Sequence, residues 1–543
     1  MSFVSRRLAL AVVVATALMA FLAIGQAGIA WAGVYDVTTQ QDESDGACDA
    51  VGTGCSIREA VDAAELDPGS TVNVPAGTYV LTLGQIYVDE DMTITGAGAR
   101  DTIVDGNDLN RVFKVRYSTV AISQLTVTNG LKENQNGGGI KSISSDLTLD
   151  HVAVTNNVAD SDLYVFGGGI SAEGYRQGPF ATRGEEGPGS LTIRSSLIAG
   201  NTVGGEHTDL AAGGGIHSQA VPIDLTNVTV SDNLAQHQAA TPGPGTATQG
   251  PEGYSYGGGI AHALYLNGTT VTEPIEPIEP SSTLLNLTVS NNTAGEGGGI
   301  HSYTAWDLAF KNTIVADNVE TGNPLIVDLG HERATDGTDN CNFLQGLPVS
   351  NGHNLESDTS CGFTAGGDRQ NADPKLGALQ NNTGQTDTRE LLEGSPALDT
   401  ADNTGCPGTD QRDVTRPQKD ICDIGAYEKI YTPPAPVTPA GAVAAAKVKA
   451  AATAKISGPR GCVRKSATIR VRGKGISSVT YSLDGKRIKR AKGDSTSVTI
   501  RSLKSGAHRV TARITFTSAT AAKPVTKRFS IVRCAKAKPK FTG

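Results

Sequence analysis

Lys141, His217 and His301 each stand one residue beyond the isoleucine of a Gly-Gly-Gly-Ile sequence, and Glu173, Glu206 and Asp209 lie in the segments between them. An amine or imidazole base near carboxylates is the residue set for abstracting a proton or for acid–base cleavage of a glycosidic bond. The simpler expectation is structural. On a strand whose isoleucine points inward the next residue points outward, which puts Lys141, His217 and His301 in solvent. His262, two residues past Ile260, would point inward, and His353 in GHNLES reads as a turn residue. The chain has no Cys-x-x-Cys pair, no His-rich spacing and no acid-rich calcium nonapeptide, so neither a metal nor another cofactor is expected.

The elements that must position these residues are repeats. Gly-Gly-Gly-Ile begins at Gly137, Gly167, Gly213, Gly257 and Gly297, and each copy is followed by an apolar-alternating segment closing on asparagine, such as LTLDHVAVTNN and IDLTNVTVSDN. Asn157, Asn201, Asn233, Asn292 and Asn318 form one column, Asn227, Asn286 and Asn312 a second, and Ile140, Ile170, Ile216, Ile260 and Ile300 a third. If each repeat is one coil of a parallel β-helix, the isoleucines fill the interior, the asparagines ladder through a turn and the glycines permit a bend. The interval from isoleucine to closing asparagine is 17 residues in the first and third repeats but 31 and 32 in the second and fourth. Loops must therefore leave the stack after Ile170 and Ile260, where they could wall a groove floored by the Gly-Gly-Gly-Ile strands.

Before the repeats, CSIREAVDAA predicts a short helix, with Ser56 capping, Glu59 three residues on, and Ile57, Ala60, Val61 and Ala64 on one face. Arg6 and Arg7, an apolar run from Leu8 to about Ile24 and Ala30-Trp31-Ala32 predict a cleaved secretory signal, with no membrane span afterwards. The eight cysteines fall into neighbouring couples suited to export: Cys48 with Cys55, Cys341 with Cys361, Cys406 with Cys422 and Cys462 with Cys534.

CSIREAVDAA resembles the segment that names the CSLREA-domain proteins, with Ile57 in place of leucine. The repeats resemble right-handed parallel β-helix proteins of the pectin-lyase fold. NADPKLGALQNNTGQT, LLEGSPALDTAD and DQRDVTRPQKDICDIGAYE resemble the choice-of-anchor Q domain. These resemblances imply an exported surface β-helix with no established activity.

After Glu428, YTPPAPVTPAGAVAAAKVKAAATA reads as a Pro/Ala linker, and SATIRVRG, VTYSLDGKRI, SVTIRS, HRVTARITF and KRFSIVRC read as strands of a small β-sandwich similar to bacterial Ig-like modules. The expected organisation is a signal peptide at 1–32, a CSLREA-like cap at 33–70, β-helix repeats at 71–330, a choice-of-anchor Q-like region and cap at 331–430, a linker at 431–456 and the basic sandwich at 457–543. The fold class is all-β. From Tyr431 onward the chain carries 25 Lys and Arg against Asp484 and Asp494, a net of +23. With a whole-chain charge of −9, the remainder stands at −32. This division favours a secreted or cell-wall-associated monomer whose partners are extracellular polysaccharide and anionic envelope polymers, not nucleic acid. The basic module could instead only solvate itself or dock on its own acidic helix. The expected role is non-enzymatic, in glycan binding, adhesion or structure, with the basic module tethering the chain to anionic envelope polymers, and the alternative is a polysaccharide lyase or glycoside hydrolase working in the groove.

Overall fold

The computed structural model describes residues 32–46, 48, 54–174, 189–205, 208–237, 254–263, 282–304, 308–322, 339–431, 452–459, 462–464, 466–501, 503–504, 506–517 and 522–534. The apolar segment at the N-terminus, Glu206 and most of both long insertions and of the Pro/Ala segment lie outside these residues. Two compact units are present, Met1–Pro433 and Pro434–Gly543.

In the first unit the chain passes through parallel sheets in the same order, coil after coil. One coil runs Asp146–Asp150, Ala153–Thr155, Val158–Asp160, Tyr164–Phe166 and Ile170–Glu173, one strand in each of a first to a fifth sheet. The sheets hold ten, nine, six, three and eight strands, each strand pairing with its counterparts in adjacent coils. This is an all-β architecture of stacked parallel sheets, consistent with a parallel β-helix. The isoleucines of the Gly-Gly-Gly-Ile strands pair directly, Ile140 with Ile170, Ile216, Ile260 and Ile300 in turn, and all are fully buried. Leu149, Ile193, Leu225, Leu284 and Phe310 fill the facing row from the first sheet. Aliphatic side chains stacked at the strand spacing close most of the interior, with few rings such as Phe113 and Phe310, which suits a chain with 5% aromatic residues.

The asparagine column is a hydrogen-bonded ladder between the second and third sheets. The Oδ1 of Asn233 accepts from both the backbone N–H and the Nδ2 of Asn201, at 3.0 and 2.9 Å, and Asn233 donates from its own Nδ2 to Asn292 at 2.9 Å. The ladder runs from Asn157 to Asn340, one step beyond the column read from the repeats. The glycines of a triplet are needed for conformation and for close approach. Gly213 has φ of +74°, and a Cβ on Gly214 or Gly215 would lie 2.4 or 2.7 Å from the carbonyl oxygen of Gly258 or Gly259 in the next coil.

The helix α1, Ile57–Glu65, begins with a complete capping box between Ser56 and Glu59. Its Ile57, Ala60, Val61 and Ala64 belong to the same buried cluster as Val72 and Ile94 of the first sheet. At the other end the Cys341–Cys361 disulfide and Phe363, whose ring lies 5.1 Å from that of Phe310, join this cluster. The rest of the region expected to close that end takes a different course. Asp402 bonds to Asn312, Thr409 to Asn227, Arg389 to Ser231 and Asp232, and Gly384 to Arg100. The segment therefore runs back along the second sheet, from the eighth coil to the second.

The second unit is two antiparallel sheets around one core. Three strands, Thr453–Ser457, Ser466–Lys474 and Ser495–Arg501, form one sheet, and Ile476–Leu483, Lys486–Lys492, Gly506–Phe516 and Val525–Arg533 form the other. The core includes Ile469, Val479, Tyr481, Val510 and Ile514. The first strand starts at Thr453, inside the segment read as linker. Four disulfides join the cysteines that neighbour one another in sequence, Cys48–Cys55, Cys341–Cys361, Cys406–Cys422 and Cys462–Cys534. Such a set suits an oxidising compartment. No helix among the described residues is long and apolar enough to cross a membrane.

Candidate functional site

The outer face of the fifth sheet carries the candidate residues. Pairing aligns Lys114, Lys141, Ser171, His217, Ala261, His301 and Asn342 in one row, each one residue past the buried position. The expectation that Lys141, His217 and His301 face solvent is not met. His217 and His301 are 1% and 7% exposed, and the Lys141 side chain is largely covered. The cover comes from the residue that precedes each glycine triplet. That residue reaches the same face one coil further on: Asn136 bonds to Glu173, two residues past Ser171 of the row, Phe166 stacks on His217, Tyr256 packs on His301, and Glu296 bonds to Asn342. Ala212 and Ala261 hold the corresponding positions at the intervening step.

At the N-terminal side of the row, charges converge. Lys141 Nζ lies 3.0 Å from Glu173 Oε1, which also accepts from Asn136 Nδ2 at 2.7 Å and Ser171 Oγ at 3.0 Å. Burial pushes the Glu173 carboxyl upward, but the Lys141 ammonium and the Asn136 hydrogen bond outweigh it and hold the group below the usual glutamate value. Arg111, fully buried beneath, donates to the carbonyls of Gly137 and Asn136 and to Gln85. Burial lowers the Arg111 pKa to about 10, which leaves it charged at neutral pH. Burial also lowers the His217 and His301 imidazoles, to about 4 and about 3, so both are neutral. Their Nδ1 atoms have no hydrogen-bond partner among the described residues.

Of the remaining candidates, Asp209 lies just before the fourth-sheet strand Leu210–Ala212 and enters the ladder through its backbone, accepting from Tyr254 N at 2.7 Å. Glu206 lies outside the described residues. His262 is buried one step inward, in the row of Ser142, Ala172, Ser218 and Ser302. His353 occupies the left-handed corner between the first and second sheets, φ +57°, in register with Asn312 at +52°. It is a turn residue, bonded through Nδ1 to the carbonyl of Thr400 at 2.7 Å.

Chemically the face is neutralised. The Lys141 ammonium in contact holds the Glu173 carboxyl in its charged form, so this carboxyl is not poised to exchange a proton near pH 7. Glycoside cleavage uses two carboxylates about 5–9.5 Å apart, and Glu173 is the one acid on the strands of this sheet. No group of His, Cys, Asp and Glu suited to a metal ion occurs among the described residues. The aromatic partners Phe166 and Tyr256 escaped the sequence reading. The signal was present in the residue before each triplet, Asn136, Phe166, Ala212, Tyr256 and Glu296, but repeats vary freely there and no shared residue type marks the column. No family model matches this chain, and no curated protein sequence is similar to it.

Proposed function

We propose that the protein is an exported, surface-associated β-helix without catalytic activity, held to anionic envelope polymers by its basic C-terminal module. On this reading α1 and the Cys341–Phe363 segment close the two ends of the stack, and the second unit is an Ig-like sandwich. The resemblance to CSLREA and choice-of-anchor Q proteins favours the same role. The observation that carries the proposal is the division of charge, +23 from Tyr431 onward and −32 before it. The two acids of the basic module, already counted in this net charge, sit at turns. Asp484 accepts from His508 and from Arg509 N, and Asp494 accepts from Ile476 N. A module of this charge gains most from meeting a polyanion. Retention of the mature chain on envelope preparations, compared with a chain ending at Tyr431, tests the proposal, and equal retention of the two would end it.

A second reading, a polysaccharide lyase or hydrolase, is favoured by one observation, the meeting of Lys141, Glu173 and Ser171 within 3.0 Å of a single carboxylate oxygen. Its test is release of reducing or unsaturated sugar ends from acidic polysaccharides by the wild type, abolished in Glu173→Gln. The main proposal expects no release from either protein.

A further inference from the structure

The four-stranded sheet of the basic module has one face on the core and one on solvent, and its register shows what the solvent face presents. Arg490 pairs with Thr480, Thr480 with Arg513, and Arg513 with Thr526. One step along, Arg487 pairs with Ser482, Ser482 with Thr511, and Thr511 with Arg528. Directly paired residues share a face, so these are two parallel rows of guanidinium and hydroxyl groups, about 7 Å apart along the strands and about 5 Å between neighbours across them. Arg487, Arg490, Arg513 and Arg528 are all exposed. Neither row contains an acid or an aromatic ring. On the two central strands the opposite side is apolar, with Val479, Tyr481, Val510, Ala512 and Ile514 buried, while Lys489 and Lys527 of the outer strands pair on that side with Tyr481 and Ala512.

We infer that this face is the polymer-binding surface of the module and that its partner is a linear phosphodiester polymer without bases. The inference rests on the tether reading and gives it a location and a chemistry. A guanidinium fork takes two oxygens of one anionic centre, and a phosphodiester keeps further oxygens for the hydroxyls that stand between the arginines. A carboxylate presents two oxygens in one plane, so a hydroxyl beside the fork shares the atoms the fork already uses, whereas a tetrahedral phosphodiester adds two ester oxygens. Single-stranded nucleic acid is the less fitting phosphodiester, because it gains much of its affinity by stacking bases on aromatic side chains and these rows present none. The three-stranded sheet also carries cations, Arg470 and Arg472, paired with Ser497 and Ser495 and exposed. It supplies a matched control of equal charge.

The test uses the full-length protein on immobilised poly(glycerol phosphate), a linear phosphodiester without bases, at low salt. Arg490→Ser with Arg513→Ser should weaken binding at least about tenfold, the loss of two charge-assisted contacts, while Arg470→Ser with Arg472→Ser should change it less than about threefold. Unchanged thermal melting of both variants shows that the module remains folded. Equal losses in the two variants would mean diffuse attraction and would overturn the assigned face while leaving the tether intact. Binding to polygalacturonate or to single-stranded DNA as tight as to poly(glycerol phosphate) would overturn the assignment of a phosphodiester without bases. Failure of the wild type to bind any polyanion would instead remove the tether reading itself.

Discussion

The ring of Phe166 lies 4.6 Å from the imidazole of His217, 17° from parallel, although the two residues belong to successive coils. A ring laid against an imidazole removes water from one side of it, and the stack beneath removes water from the other. The His217 imidazole is thereby held neutral, with its pKa lowered to about 4 from an ordinary 6.5. In the unfolded chain the group takes up a proton as pH falls through about 6.5, whereas in the folded chain it resists until about 4. Stability should therefore fall as pH drops from 6.5 toward 4. NMR titration should find His217 neutral at pH 5.5, and His217→Phe should flatten this part of the pH–stability profile. An imidazole that titrates near 6.5 would contradict the stacking account.

His151 should behave in the opposite sense. Its hydrogen bond to Asp150, aided by Asp413, raises its pKa to about 9, and it links a coil corner to the segment lying along the second sheet. The charged imidazole stabilises the fold fully below the unfolded value of about 6.5, and this contribution disappears as pH rises through about 9. His151→Asn should remove that alkaline decline, as read by thermal melting between pH 6 and 10.

The asparagine ladder makes a quantitative prediction. Asn233→Ala would leave the N–H and one of the two Nδ2 hydrogens of Asn201 without partners in a dry interior. The expected cost is about 2–4 kcal/mol in denaturant unfolding. A loss below about 1 kcal/mol would mean that water replaces the ladder.

The inward register is tested at Ile216. Aspartate there would place an unpaired charge among Ile170, Ile260 and the facing row, and should cost at least about 3 kcal/mol or prevent folding. Wild-type melting of Ile216→Asp would show that the position is not interior.

Much of the stack was legible because repetition itself reports geometry. Isoleucines in one column must share one environment, and asparagines in one column can satisfy one another only if coils lie in register. What repetition cannot report is contact between columns of varied residues. Alternation put His217 and His301 on the outer face, but their burial depends on Phe166 and Tyr256, which reach across from the preceding coil. The return of the chain along the second sheet was equally hidden. It is fixed by single contacts such as Arg389 with Asp232 and Asn227 with the carbonyl of Thr409, and no local pattern encodes them. The cysteine couples, by contrast, are consecutive cysteines of the chain, and three of the four bridge no more than 20 residues.

The measurement that tests the central claim most directly is retention of the full-length mature protein on cell-envelope preparations as salt is raised, beside a chain ending at Tyr431. An electrostatic tether predicts that only the full chain binds at low salt and that it elutes near about 0.3 M salt, where screening shortens to about 5 Å. Retention that salt does not change, or that the shortened chain shares, would contradict it.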